Sequence, residues 1–172
     1  LMEAVRTHGV RRIIHMAAVL APDSEERPHH AMYANIHGTN NVFEVARWTG
    51  IERVVYASSI AYYGLQEPYG ERPVTEDDVS HPISVYGMTK VANEFAAQHY
   101  ARRFGLDICG IRICSVFGHG RALGITGLIG GGLISLPAVG KPVELPIDPE
   151  VAMPLIYVED AAEIFVRAAL SD

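Results

Sequence analysis

Only two residues of this chain are lysine, Lys90 and Lys141, and only two are cysteine, Cys109 and Cys114. Two cysteines in or near one apolar run do not make the disulfide framework of a small secreted domain. They read as small core residues in a reducing compartment. Positive charge is in deficit: 14 Lys and Arg against 20 Asp and Glu leave a net charge of -6, with the arginines scattered. A nucleic-acid surface is therefore not expected. No apolar stretch reaches the roughly 20 residues that span a bilayer. Nor does a basic segment precede a short apolar run, as it would in a secretory leader. The expectation is a soluble, cytoplasmic protein with no membrane association. Internal repeats and low-complexity tracts are also absent. Among the 8 histidines no pair stands four apart. His29, His30 and His37 straddle a loop and a helix start, so no metal site is expected.

What the chain does have is a core-forming composition, with 49% hydrophobic residues in 172, and a Tyr-x-x-x-Lys pair, Tyr86 and Lys90. Residues four apart share one face of a helix, so the phenol and the ammonium point into the same space. An ammonium beside a phenol favours the phenolate over a group that ordinarily titrates near ~10. Tyr86 is thus a candidate acid/base for a substrate hydroxyl. Taken by itself, the pair equally suits an exposed helical turn with a solvated lysine, and its neighbours have to decide.

Apolar periodicity sets the frame. Residues 1–8 are helical in pattern and Gly9 stops them. Residues 10–18 form a short buried strand, 20–34 a loop with Pro22 and Pro28, and 36–49 a helix ending at Gly50. Residues 52–58 form a second strand, and 64–85 a long polar connection, of the kind that is usually functional. Residues 86–104 form the best helix, with Val91, Phe95 and Ala96 on one face and Gly105 at its end. A third strand follows at 106–113. Residues 118–150 are rich in Gly and Pro. Leu155-Ile156-Tyr157-Val158 is a last short strand, and Asp160 caps a helix through Ala169.

Strands alternating with helices imply an α/β fold with a parallel sheet. Ligands of such sheets sit beyond the carboxyl ends of the strands. Here those ends are Met16-Ala17-Ala18, Ala57-Ser58-Ser59 and Ile113-Cys114-Ser115, and the helix that begins at Tyr86 follows the second of them.

With these motifs in order, the chain resembles the extended short-chain dehydrogenase/reductase family, the NAD-dependent epimerase/dehydratase group. His15-Met16-Ala17-Ala18 is similar to its His-x-Ala-Ala turn, and Asn35 to Asn41 to its Asn-x-x-Gly-Thr-x-Asn helix entry. Ser58 to Gly64 resembles Ser-Ser-x-x-x-Tyr-Gly, and Ser84 to Lys90 resembles Ser-x-Tyr-Gly-x-Ser-Lys. Arg112 to Gly118 resembles Arg-x-x-Asn-x-Tyr-Gly, and Ile156 to Asp160 the late Ile-x-Val-x-Asp motif. Each is weak alone; six in family order are strong.

The resemblance implies a partial Rossmann-type, doubly wound parallel sheet with a small C-terminal substrate-binding portion. Residues 1–117 would complete the dinucleotide-binding domain, 118–155 would form a substrate-binding or lid segment, and 156–172 a return strand and helix. It also implies the site. Ser59 would bond the substrate oxygen, with Ser58 the less favoured serine by spacing. Tyr86 would be the acid/base, and Lys90 would hold the nicotinamide ribose and support the phenolate. Met16, Ala17, Ala18, Asn35, Ala57, Ser58, Tyr86, Lys90 and Cys114 would line the cofactor, NAD or NADP with NAD favoured. A homodimer would form through the helices at 36–49 and 86–104.

The chain departs from the family at its front, where no Gly-x-x-Gly-x-x-Gly pyrophosphate turn occurs. Gly118, Gly120 and Gly124 do not replace it, because they follow the third strand at the wrong spacing. The chain is therefore expected to be the later part of a longer one. Sugar-nucleotide members commonly carry Asn where Ser115 stands and Arg where Met153 stands. An Arg can pair bidentately with a diphosphate and Met cannot, although Arg121 lies in the nearby loop.

Three functions follow. The first is an NAD(P)-dependent oxidoreductase acting on a sugar-like or small hydroxy/keto substrate. The second is a nucleotide-sugar epimerase or dehydratase that regenerates its cofactor. The third, which the Ser59, Tyr86 and Lys90 set argues against, is a non-catalytic dinucleotide-binding module. Without the pyrophosphate turn, residues 1–172 alone are expected to be inactive and to show no micromolar affinity for NAD. Calorimetric titration of this stretch with the dinucleotide checks it.

Overall fold

The computed structural model describes residues 1–118, 132–144, 148, 150 and 152–171. By contacts the chain divides into two units, residues 1–112 with 165–172, and residues 113–164.

In the first unit, helix α1 (Met2–His8) ends at Gly9, whose φ of 59° gives the left-handed turn that a side chain would strain. Strand β1 (Arg12–His15) pairs in parallel with β2 (Arg53–Ser59), Arg12 opposite Arg53 and His15 opposite Tyr56. Strand β3 (Ile108–Ile113) lies on the other side of β2, giving the order β1-β2-β3. The central strand is the most buried, with Val54, Val55, Tyr56 and Ser58 closed to solvent. A strand covered on both faces reads as a continuous apolar run, as residues 54–57 do.

The segment expected as a loop at 20–34 is largely helical. It holds α2 (Asp23–Glu26), α3 (Pro28–Met32) and a π-type turn (Tyr33–His37) that runs on into α4 (Gly38–Thr49). Pro28 misled the sequence reading. At the first position of a helix its fixed φ and missing N–H favour the start instead of breaking it.

Helix α5 (Val85–Phe104) matches expectation in span. Of the face shared by Val91, Phe95 and Ala96, Phe95 is 71% exposed. The buried stripe is instead Lys90, Asn93, Ala97 and Tyr100, a 3-4-3 spacing that is half polar. Its apolar end joins the core: Phe43 of α4 is fully buried, meeting Tyr56 edge-on at 5.6 Å and Tyr100 at 5.6 Å.

In the second unit, β4 (Ser115–Phe117), left unassigned after the third strand at 106–113, pairs in parallel with β5 (Leu155–Tyr157). Helix α6 (Leu133–Ala138) also belongs here. Helix α7 (Val158–Leu170) follows β5 directly, so Asp160 stands inside its first turn and does not cap it. The carboxylate still lies at the positive end of the helix dipole. In the segment expected as substrate-binding at 118–155, residues 119–131, 145–147, 149 and 151 lie outside the described residues, with Gly120, Arg121 and Gly124 among them. Among the described residues no helix is long and apolar enough to cross a membrane.

One glycine fixes how α5 meets the sheet. A Cβ on Gly87 would lie 2.5 Å from the Ala61 carbonyl and 3.1 Å from Pro82 Cβ. Backbone cannot yield as a side chain tip can, so Gly87→Ala is expected to destabilise the protein by about 2 kcal/mol, in the range for overpacking. Urea unfolding of the variant beside the parent checks it.

Candidate active site

The site is built where β2 ends and α5 begins. Ser59 closes the strand and turns the chain into a 3-10 turn (Ile60–Tyr62), its Oγ accepting from the Ala61 N–H at 3.1 Å. Ser84 caps α5, its Oγ accepting from the Gly87 N–H at 3.0 Å. Because Gly87 carries no side chain, the first turn of α5 lies directly on the Ala61 carbonyl. Lys90 thereby reaches the end of β2 at Ala57, with the Tyr86 ring near its ammonium.

Lys90 is 3% exposed and donates from Nζ to the Ala57 carbonyl at 2.6 Å. The same nitrogen lies 5.2 Å from the centroid of the Tyr86 ring. Burial disfavours the ammonium and pushes its pKa down to about 8. His15, at the end of β1, is held below its ordinary value first by burial and then by the charge of Lys90. Its Nε2 lies 3.1 Å from Thr39 Oγ1. The ends of β1 and β2 thus share one electrostatic neighbourhood around a single buried cation.

The two serines differ. Ser58 is fully buried, and its Oγ donates to Glu94 on α5. Glu94 also receives Arg112 of β3, through Nε at 3.0 Å and Nη2 at 2.7 Å. Arg112 stacks 3.7 Å over the Tyr62 ring and donates to the Glu76 carbonyl at 2.8 Å. Ser58 is therefore the buried corner of a half-buried ionic network, whereas the hydroxyl of Ser59 accepts from the turn.

Asn35 is 1% exposed and fully engaged. Its Oδ1 accepts from the Val19 N–H at 2.7 Å, and its Nδ2 donates to the Val19 carbonyl at 3.0 Å and to Thr89 Oγ1 at 3.2 Å. It holds the backbone that follows Met16, Ala17 and Ala18, of which Met16 is 57% exposed and Ala18 half-buried. Ala57 offers its carbonyl to Lys90. Cys114 is half-buried and lies in the second unit. The arrangement thus brings Lys90 to Ala57 and Tyr86, and Ser58 to Glu94 of the same helix, with Ser59 next along the strand. Among the described residues no three His, Cys, Asp or Glu side chains are grouped to hold a metal ion.

Several supporting residues escaped the sequence reading. Thr89 donates to the Tyr86 carbonyl at 2.7 Å, and Asn93 donates to the Asn35 carbonyl at 3.0 Å and to Thr39 Oγ1 at 3.2 Å. Glu94 and Glu25 were missed as well. The polar residues at 89, 90 and 93, one or two turns into a helix that must cover a sheet, were the signal.

The donor set suits a dinucleotide. An ammonium has three N–H donors, and the Ala57 carbonyl takes one, leaving others for ribose hydroxyls. The exposed backbone after β1 offers a surface for the ring system.

A family model described as the NAD dependent epimerase/dehydratase family matches residues 1–172. An uncharacterized protein of Methanocaldococcus jannaschii is 38% identical over 122 residues, 69% of this chain and 36% of that protein. A GalE-like L-threonine dehydrogenase from Cupriavidus necator, in its holo form, superposes with a TM-score of 0.84 at 30% identity, over 96% of this chain and 53% of that one. A UDP-glucose 4-epimerase from Thermus thermophilus, solved in complex with NAD, gives a TM-score of 0.83 at 28% identity, over 99% and 57%. The chain thus spans about half the length of the solved structures it matches and about a third of the curated relative. On its match along the whole sequence and its Rossmann-like parallel sheet, the chain belongs to the NAD-dependent epimerase/dehydratase family.

Proposed function

We propose that this chain carries the proton-transfer half of an NAD(P)-dependent oxidoreductase acting on a sugar-like or small hydroxy/keto substrate. The observation that carries this is the buried Lys90 ammonium, 2.6 Å from the Ala57 carbonyl and 5.2 Å from the Tyr86 ring. A cation in a low-dielectric site stabilises negative charge on a neighbouring phenol far better than one in water. Tyr86 then takes the proton of the substrate hydroxyl, or returns it to a carbonyl oxygen. Ser59 already accepts from Ala61, and its own hydroxyl hydrogen serves the same substrate oxygen. Ser58, committed to Glu94, shapes the strand end.

The bound dinucleotide, NAD in preference to NADP, supplies the hydride acceptor. Lys90 would hold its ribose. Met16, Ala17, Ala18, Ala57 and Cys114 would line it, and Asn35 acts through the Val19 backbone. The second unit, with residues 118–155, would select the substrate. Exposed Trp48 of α4 and Phe95 of α5, 61% and 71% open, support a homodimer through these two helices. Two free cysteines suit a reducing cytoplasm.

A second reading, a nucleotide-sugar epimerase or dehydratase, is favoured by the likeness to the UDP-glucose 4-epimerase. Met153 weighs against it, because it offers no bidentate donors to a diphosphate. Absorbance at the reduced-nicotinamide band separates the two in the complete protein that carries this chain. Net reduced cofactor with a hydroxy substrate supports the first, and product without it supports the second. In either case Tyr86→Phe is expected to lower kcat by about 10²–10⁴, the usual worth of a general acid/base. Unchanged turnover refutes the proton-transfer reading.

Lys90 also gives a pH dependence. Its folded pKa of about 8 lies below the ordinary 10.5. Between these values the unfolded chain binds the extra proton, so stability rises with pH across that window, and below about 8 the buried charge opposes folding in full. Relative to Lys90→Met, the parent is expected to gain roughly 1–3 kcal/mol between pH 8 and 10.5. Cofactor affinity should move the opposite way, falling as pH passes 8 and the ammonium is lost. Urea unfolding and cofactor titration over this range check both signs.

A further inference from the structure

The first backbone N–H groups of an α-helix have no acceptor within the helix. In α5 the intrahelical ladder starts at Met88, which donates to the Ser84 carbonyl. Gly87 donates to the Ser84 side chain. The two amides in between are met from 60 residues away in sequence: Val85 N–H donates to Glu25 Oε2 at 3.0 Å, and Tyr86 N–H to Glu25 Oε1 at 3.2 Å. One carboxylate on α2 therefore grips the backbone of the catalytic tyrosine and of the residue before it.

The carboxylate is itself held in place. Ser24, fully buried, donates from Oγ to Glu25 Oε1 at 2.9 Å, and α2 packs against α5. The bond from Val85, joined by those from Tyr86 and Ser24, keeps the Glu25 carboxyl below its ordinary range even though burial opposes them. It is thus ionised at neutral pH, and a negative charge at this end of a helix is favourable. Ser84 cannot substitute for it, since its hydroxyl is engaged with the third amide.

We infer that Glu25 is a positioning residue for the reaction: by clamping the amides of Val85 and Tyr86 from α2, it sets where the phenol stands relative to Ser59 and Lys90. The inference rests on the acid/base reading of Tyr86. A misplacement of about 1 Å at a reacting group can cost on the order of 100-fold in rate, so a clamp on this backbone is felt at the phenol without touching substrate or cofactor.

The test uses the complete protein with Glu25→Ala, Glu25→Gln and Tyr86→Phe. In Glu25→Ala, amide hydrogen exchange at Val85 and Tyr86 is expected to quicken about tenfold. The kcat should fall about tenfold, with KM and cofactor Kd within about twofold of the parent. Glu25→Gln keeps the size and one carbonyl acceptor, so it should fall between, and it carries the same comparison if the alanine variant does not fold. In the Tyr86→Phe background Glu25→Ala should cost nothing further. Unchanged exchange and kcat in Glu25→Ala, beside a crippled Tyr86→Phe, overturn the clamp alone. So does an equal kcat loss with or without Tyr86. Full activity of Tyr86→Phe overturns the acid/base reading, and the clamp's catalytic role with it.

Discussion

The structure depends on one constraint: the polar face that α5 turns inward must have every donor and acceptor met. An unpaired buried polar group costs about as much as several good contacts return. Among the described residues no buried side-chain nitrogen or oxygen lacks a partner. Lys90 reaches the Ala57 carbonyl, Asn93 reaches Asn35 and Thr39, Thr89 reaches Tyr86, and Glu94 takes Ser58 and Arg112. These bonds are directional, so they fix the depth and rotation of the helix on the sheet where an oily face would allow it to slide. Apolar packing of Ala97 and Tyr100 against Phe43 and Tyr56 then secures the far end.

That constraint and the proposed chemistry use the same atoms. An ammonium kept in water would pair weakly with a phenol; buried, it influences His15, Tyr86 and the strand end together. The cost is a charge held where solvent does not help it, which is why its pKa is depressed. The Glu94–Arg112 pair, half-buried, ties the turn at Tyr62 and the loop carbonyl of Glu76 to the same helix. The site is thus stiff on the side of strand and helix. The connection between Gly64 and Ser84 is anchored to it where the Glu76 carbonyl accepts from Arg112.

Much of this was legible in the sequence. Helix α1 with its Gly9 stop, the strands at 12–15, 53–59 and 108–113, and the span of α5 follow from apolar runs and glycine punctuation. Tyr86 and Lys90 were proposed from four-residue spacing, and Ser59 from the resemblance and its distance to Tyr63-Gly64. Three features were not legible. Pro28 read as a loop signal although it opens a helix, because proline suits both contexts and only the following turn distinguishes them. The buried side of α5 was not legible because its inward stripe, Lys90, Asn93, Ala97 and Tyr100, is half polar, whereas Phe95 points out. Strand β4 went unassigned because its three residues, Ser115–Phe117, are too few to show a period of their own.

The sequence by itself determined the alternation of strands and helices, the family, and the residues proposed to bear the chemistry. Those depend on short-range periodicity and on residue types that few other sites require. Only the tertiary structure decided the partners: that Ser58 belongs to Glu94, that Asn35 grips Val19 as well as Thr89, and that Glu25 holds the amides of Val85 and Tyr86. Each of these joins residues 16 to 61 positions apart. A hydrogen bond depends on a few tenths of an ångström and on angle, and linear spacing carries no information about either once the chain has folded back on itself.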